Sequence, residues 1–353
     1  MIDAIASFTE AVNGSTWKSL AVLAVGIAML LFGGHWLVQG AVVIARRMGV
    51  SILVIGLTVV AFGTSAPELA FNVIAATSGK GELCFGNIVG SNIANIGLVV
   101  GICALIAPLA VHSRVLGKEL PWLVAISFGC ILLALAPPYV LNGDEPSWGF
   151  ARLHGVILLG GFALFSLSWY RMGRADAKDP LAKDSVEEAT KQTQGSIAAA
   201  SASFIFGLAL LLLGGKFSEV GAVGLAEAAG LSDALIGLTI VAVATSLPEV
   251  CTSIIACRKG HTDLAIGNVV GSNLFNLLLV LGVTSLVSPV PLPQEEVVGT
   301  IRRGWLDLGF MCGMTLVLVP LAVSHRRIVR REGALLLALY LAYLAFVVVV
   351  ELA

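Results

Sequence analysis

The sequence predicts an all-α fold: a polytopic membrane protein of ten transmembrane helices, arranged as two inverted-topology repeats of five helices. Three observations predict it. Charged residues make up only 12% of the chain, apolar residues 58%, and the mean hydropathy is +0.96, where a soluble domain carries roughly 25% charge. Apolar runs reach the roughly 20 residues a membrane-spanning helix needs again and again along the chain. And Ile55–Gly101 aligns without a gap on Ile236–Gly282, with about half the positions identical and a constant offset of 181 residues.

In order, the spans are expected at 17–45, 51–78 (broken near Pro67), 83–108, 119–137, 151–170, 197–229, 233–257, 264–288, 304–323 and 333–351. The longest polar stretch, Arg171 to Gln194, mixes charges around Pro180 and reads as a solvated linker. The chain therefore divides into a first repeat at 1–170 with its motif at 55–101, a linker at 171–196, and a second repeat at 197–353 with its motif at 236–282. Five spans per half is an odd number, so the second half enters the membrane from the opposite side. Many secondary transporters have this layout, with the substrate site near the midplane between the repeats.

Basic residues set the orientation. Arg46, Arg47, Arg114, Lys118, the linker cations, Arg258, Lys259, Arg326, Arg327, Arg330 and Arg331 fall in one set of loops. The other set holds mainly Lys18, Lys80, Arg152, Arg302 and Arg303, and is richer in acid. The first set is expected in the cytoplasm, with both termini outside and the lipid bilayer as the main partner. A net charge of -1 gives no case for nucleic acid, and no obligatory protein partner is evident. Six scattered cysteines without a C-x-x-C pair read as small buried residues. No cleavable signal peptide is expected, because the first apolar run is too long for one.

The repeated stretches carry the chemistry. "VAFGTSAPELAFN" (60–72) and "VAVATSLPEVCTS" (241–253) each place a glutamate, Glu68 or Glu249, one residue after a helix-breaking proline. Pro67 is expected to free the carbonyl near Gly63, and Pro248 the one near Ala244. Thr64 and Ser65 stand within a turn of Glu68; Thr245 and Ser246 repeat this beside Glu249. In "GNIVGSNIAN", Asn87, Ser91 and Asn95 share one face, as do Asn268, Ser272 and Asn276 in the copy. Carboxylate, hydroxyl and freed carbonyl oxygens are what hard cations prefer. A membrane Ser or Thr is commonly a packing hydrogen bonder, and the G-x-x-x-G pairs at 86/90 and 267/271 read as packing. The two glutamates differ, because an acid at the bilayer centre costs roughly 2.5–3.5 kcal/mol. Glu219, Glu227 and Asp307 lie nearer span ends or lack a repeat partner.

At these residues the sequence resembles the cation/Ca²⁺ exchanger superfamily, the Na⁺/Ca²⁺ exchangers and their K⁺-dependent relatives. "GTSAPE" and "ATSLPE", each followed by a "GN-x-V-GSN" stretch, look like its two α-repeats. The resemblance implies four cation sites between the second and third spans and the seventh and eighth. Its implied ligands are Ala61, Thr64, Ser65, Glu68, Ser91 and Asn95, with Ala242, Thr245, Ser246, Glu249, Ser272 and Asn276 from the second half. The alanines would enter through backbone carbonyls. The family also implies that the first and sixth spans slide across this core. Members often carry an acid at the position of Asn95 or Asn276, and the K⁺-dependent branch has an aspartate at the latter. Asparagine at both predicts transport without K⁺, and the short linker implies a compact prokaryotic member of the inner membrane.

The expected function is Na⁺-driven Ca²⁺ antiport, with Ca²⁺ and Na⁺ as cargo and no cofactor. H⁺/Ca²⁺ antiport is the nearest rival, since a buried carboxylate also carries a proton. The oxygen-rich shell favours Na⁺. A channel fits less well with an inverted repeat inside one chain. No nucleophile–base pattern or phosphate-binding loop suggests an enzyme or ATP drive.

Overall fold

The computed structural model describes residues 15–136, 148–176, 196–229, 242–298 and 301–352. The fold is all-α. Among the described residues, nine helices are long and apolar enough to cross a membrane. They are α1 (Thr16–Met48), α2 (Ile52–Thr77), α3 (Gly81–Ile106), α4 (Val115–Ala134), α5 (Arg152–Asp176), α6 (Ile197–Ala228), α8 (Thr262–Val287), α9 (Arg303–His325) and α10 (Arg330–Leu352). Between α6 and α8 lies α7 (Leu247–Arg258), preceded by the single turn Ala242–Thr245. The start of the expected seventh span, 233–241, lies outside the described residues, as does 177–195 of the linker. α5 runs on to Asp176, six residues past the expected end of the fifth span at 170. Charge alone does not end a helix, and the helix continues past Gly173 with no proline before Pro180.

Burial sorts the helices into layers. The most apolar window of α8 is 94% buried and that of α3 is 78% buried, against 22% in α5 and α10. The two helices that carry the G-N-x-V-G-S-N stretches thus form the centre. The outer helices turn large apolar side chains outward, among them Leu132, Leu164, Ile205 and Val349, as lipid-facing surfaces must. Five of the six cysteines are buried and Cys251 is partly so; all are unpaired thiols.

The halves embrace through their longest helices. α1 and α6 are equivalent in the repeat, yet they pack antiparallel along a seam of small residues spaced by seven. A methyl built on Gly33 would lie 2.8 Å from the Gly207 carbonyl oxygen, and one on Gly214 would lie 2.9 Å from the Gly26 carbonyl oxygen. The same holds for Gly40 against the Ala200 carbonyl at 2.6 Å and for Gly221 against the Ser19 carbonyl at 2.7 Å. Each contact maps onto its partner when the halves are exchanged, as a two-fold axis requires. Only glycine permits backbones to come this close.

Short ladders between loops follow the same exchange. β1 (Leu109–Ala110) pairs antiparallel with β6 (Arg327–Ile328), and β2 (Gly149–Phe150) pairs with β3 (Val290–Pro291). Each ladder takes one strand from each half, and together they pin the loop ends that flank α3, α4, α5, α8, α9 and α10. A third ladder, β4 (Glu296–Val298) with β5 (Ile301–Arg302), is a local hairpin before α9.

Candidate cation-binding site

The site begins with two broken helices. In α2 the helix reaches Thr64, stops at Ser65 (φ -85°, ψ 3°) and resumes at Ala66 with Pro67 in its first turn. The second copy stops at Ser246 (φ -88°, ψ 1°) and resumes at Leu247 with Pro248 in its first turn. The near-identical angles lie in the sparsely used bridge region. Proline is tolerated there because a first-turn N–H has no intrahelical partner anyway. The break does not leave the Gly63 carbonyl bare, since cap N–H groups bond to both Ala61 and Gly63 carbonyls. What the break supplies is position. Glu68 and Glu249 fall in the first turn of a new helix, where the positive end of the helix dipole favours a carboxylate.

The central helices then change pitch where they face these breaks. α3 passes into a π-helical turn at Asn95–Val100 and α8 into one at Asn276–Val280. Such turns are concentrated at functional sites. The turn of Asn95 packs on α7, which carries Glu249, and that of Asn276 packs on the second half of α2, which carries Glu68.

Hydrogen bonds join the halves at every level. Ser65 Oγ donates to Glu249 Oε1 at 3.2 Å, and Ser272 Oγ reaches the same oxygen at 3.5 Å. Ser246 Oγ donates to Ser91 Oγ at 3.2 Å. Thr64 Oγ1 donates to Asn268 Oδ1 at 3.2 Å, while Asn87 Nδ2 donates to Thr245 Oγ1 at 3.0 Å. Asn95 Nδ2 donates to Asn273 Oδ1 at 3.0 Å. Thr64, Ser65, Glu68, Ser91, Asn95, Thr245, Ser246, Glu249, Ser272 and Asn276 are all buried. Ala61 is also buried, and its carbonyl accepts from Ser65 N at 3.0 Å. Ala242 opens the described part of the second copy.

Among the expected ligands, five oxygens have no hydrogen-bond partner: both of Glu68, Oε2 of Glu249, Oδ1 of Asn95 and Oδ1 of Asn276; Asn276 Nδ2 and, behind them, Oδ1 of Asn72 and of Asn92 are also unpartnered. A buried, unpaired carboxylate costs several kcal/mol, and each orphaned buried acceptor calls for a physical explanation. Carboxylate and amide oxygens drawn from four helices fit a hard cation.

Other membrane acids do not join the cluster. Asp307 accepts from Tyr343 Oη at 2.8 Å and lies 3.8 Å from Arg303 Nε, a brace between α9 and α10. Glu219 pairs with Lys216 at 2.7 Å on α6. Four buried residues of the network fall outside the expected ligand set. Asn92 and Asn273 join the two central helices, with Asn273 Nδ2 near the Asn92 carbonyl at 3.5 Å. Asn72 and Ser253 sit behind Asn87 and Asn268. The identical "GSN" in both copies is the signal that could have found the first pair; the second pair differs between copies and gives none.

Similarity to known proteins runs along almost the whole chain. The family model described as sodium/calcium exchanger protein matches residues 18–170 and 200–349. A protein described as putative antiporter CaxA, from Alkalimonas amylolytica, is 39% identical over 90% of this chain and 95% of its own length. Sodium/calcium exchanger MaX1 of Methanosarcina acetivorans is 30% identical over 92% of this chain and 96% of its own. Among solved structures, the sodium-calcium exchanger NCX_Mj soaked with Na⁺ and Sr²⁺ superposes with a TM-score of 0.77 at 30% identity, covering 94% of this chain and 99% of its own.

Proposed function

Because this chain belongs to the sodium/calcium exchanger family, and is thereby a membrane cation/Ca²⁺ exchanger, we propose that it is a Na⁺-driven Ca²⁺ antiporter working by alternating access. The observation that carries this reading is the set of five unpartnered buried oxygens among the expected ligands, three of them on Glu68 and Glu249. Two ionised glutamates give the site a formal charge of −2, which one Ca²⁺ neutralises. Ca²⁺ accepts about 6–8 oxygens in flexible geometry, which suits ligands from α2, α3, α7 and α8. Several Na⁺ ions on the same oxygens would displace it. The hydroxyls of Thr64, Ser65, Ser91, Thr245, Ser246 and Ser272, the asparagines 95 and 276, and the carbonyls of Ala61 and Ala242 complete the proposed ligand set.

The test is flux. Proteoliposomes loaded with Na⁺ in K⁺-free medium are expected to take up Ca²⁺ when the Na⁺ gradient points outward. A proton gradient alone is expected to give background uptake. Dependence on added K⁺ would overturn the reading of Asn95 and Asn276. Uptake driven by protons alone would replace Na⁺ as the coupling ion.

The layout we infer has ten spans, the seventh ending in α7, in two inverted repeats of a prokaryotic inner-membrane protein. Both termini lie outside and the linker lies in the cytoplasm. The antiparallel packing of the equivalent helices α1 and α6 supports it. So do the ladders, since β1 with β6 and β2 with β3 join loops separated by an even number of spans. In this layout the turns at Lys80 and Lys259 face opposite sides. Single variants Lys80→Cys and Lys259→Cys are expected to react with a membrane-impermeant thiol reagent from opposite faces of oriented vesicles. Labelling of both from one face would sink the inverted arrangement.

A further inference from the structure

One loop carries a concentration of charge that the cation site does not use. Between α9 and α10 the chain reads "HRRIVRRE" (325–332), with Arg326, Arg327, Arg330 and Arg331 all exposed. In the other loops of the same basic set, cations find partners close by: Arg114 lies 3.7 Å from Glu119, and Lys259 donates to the His35 carbonyl at 3.1 Å. Among the described residues, no carboxylate lies within ion-pair distance of the four arginines. The one acid beside them, Glu332, is engaged by the loop itself. It accepts from Val329 N at 2.8 Å and from Ser324 Oγ at 3.3 Å.

The backbone holds this charge in place. β6 pairs Arg327 with Ala110 and Ile328 with Leu109. Ile328 and Leu109 are buried, so strand alternation turns Arg327 outward. Arg326 ends α9 at φ 50°. Three other turns with left-handed backbone, at Gly49, Gly79 and Gly260, use glycine, which adopts it without steric cost. Among the described residues Arg326 is the one non-glycine at positive φ, so an arginine stands where the backbone favours glycine. A guanidinium carries five N–H donors. Arg326 places one of them on Ser113 Oγ, at 3.3 Å from Nη1.

The surface bordering the loop points to the ligand. Val323, 55% exposed on α9, and Leu335, 47% exposed on α10, continue the lipid-facing surface on either side. The four cations thus stand where an apolar membrane surface meets water, the level of phospholipid headgroups. Clusters of four or more Arg or Lys directly beside a membrane span attract anionic lipid, and the planar guanidinium fork matches phosphate oxygens.

We propose that the α9–α10 loop binds the headgroup of an anionic phospholipid, with Arg326, Arg327, Arg330 and Arg331 as its cationic contacts and the acyl chains along Val323 and Leu335. This site is independent of the cation site. The excess of basic residues on one face sets orientation, but orientation requires neither four arginines on one loop nor one of them at a left-handed position.

Native mass spectrometry of the purified full-length protein, titrated with phosphatidylglycerol or phosphatidylcholine in mixed detergent micelles, tests it. The native chain is expected to bind phosphatidylglycerol at least about tenfold more tightly than phosphatidylcholine. Arg326→Gly is expected to weaken phosphatidylglycerol binding about fivefold, the effect of one basic residue near a membrane surface. It is not expected to lower the thermal unfolding midpoint, because glycine suits the backbone there. The double variant Arg327→Gln/Arg331→Gln leaves the Arg326–Ser113 contact in place and is expected to weaken binding more than about tenfold. Arg258→Gln, at the end of α7, removes one charge elsewhere and is expected to change nothing. Equal affinity for the two lipids, native phosphatidylglycerol affinity in either loop variant, or an equal loss in Arg258→Gln overturns the proposal. Displacement of the lipid by millimolar inorganic phosphate overturns it too, since the loop would then be a site for free anions. Should Arg326→Gly fold poorly, the double variant alone decides.

Discussion

Glu249→Gln is expected to abolish Na⁺-dependent Ca²⁺ flux in a protein that still folds, and Glu68→Gln is expected to do the same. Glutamine keeps the length of the side chain and an oxygen that Ser65 and Ser272 can still reach at position 249. It removes one unit of charge from a site that must repay the dehydration of a divalent ion. Losing a charged partner in a buried site costs several kcal/mol, so flux should fall by more than about a thousandfold, at about 1.4 kcal/mol per tenfold. Asp at either position retains the charge but withdraws it by one methylene, and should weaken transport less. Ser65→Ala and Ser246→Ala should be milder still, since a neutral oxygen is lost. The measurement is Ca²⁺ flux by monodisperse variants in liposomes. Near-normal exchange by Glu249→Gln would make that acid structural and remove the basis of the mechanism.

The second large effect is expected far from the ions. Gly33→Ala would put a methyl 2.8 Å from both the Gly207 carbonyl oxygen and the Leu211 amide nitrogen. These are backbone atoms of a helix, with no rotamer to retreat into, so α1 and α6 must separate. Overpacking of this kind costs about 1–3 kcal/mol. It also breaks a contact that the repeat makes twice, since Gly214 meets Gly26 in the same way. Gly33→Ala is expected to lower the thermal unfolding midpoint in detergent by several degrees and to cut flux. Gly160→Ala, on an exposed face of α5 with nothing described within 4 Å, is the control expected to change neither. Equal behaviour of the two variants would mean that the seam is not a close-packed interface in the membrane.

That the residues of the candidate site cluster was largely legible in the sequence, and the reason is duplication. A lone Glu68 in an apolar run is ambiguous; the same acid after the same proline at Glu249 is not. The helix breaks were legible for the same reason, although they fall at Ser65 and Ser246, just before the prolines. The π-helical turns at Asn95 and Asn276 were not, because a spacing of four fits an α-helix equally well and only neighbouring helices decide the pitch. The ladders were invisible, since two-residue strands carry no periodicity. The C-terminal end of α5 falls six residues past the expected 170, because the polar residues 171–176 continue the helix where polarity was read as its end. Asn72, behind Asn87, was missed because comparing repeats finds what they share, and the second half has Ser253 in its place.

The two ladders and the glycine seam also have a consequence in time. Each is made half from residues before the linker and half from residues after it. The partners Glu68 and Glu249 are 181 residues apart in the chain. At roughly 5–20 residues per second, the ribosome reaches the second about 10–35 s after the first. Until residue 207 is made Gly33 has no partner, β1 and β2 wait beyond the interval for the strands at 327 and 290, and Glu68 lacks Thr245, Ser246, Ser272 and Asn276 from the second half. The first half must therefore persist in the bilayer as an incomplete object. Lateral encounter between the helices of the two halves is thus a step that every chain must complete before the candidate site exists.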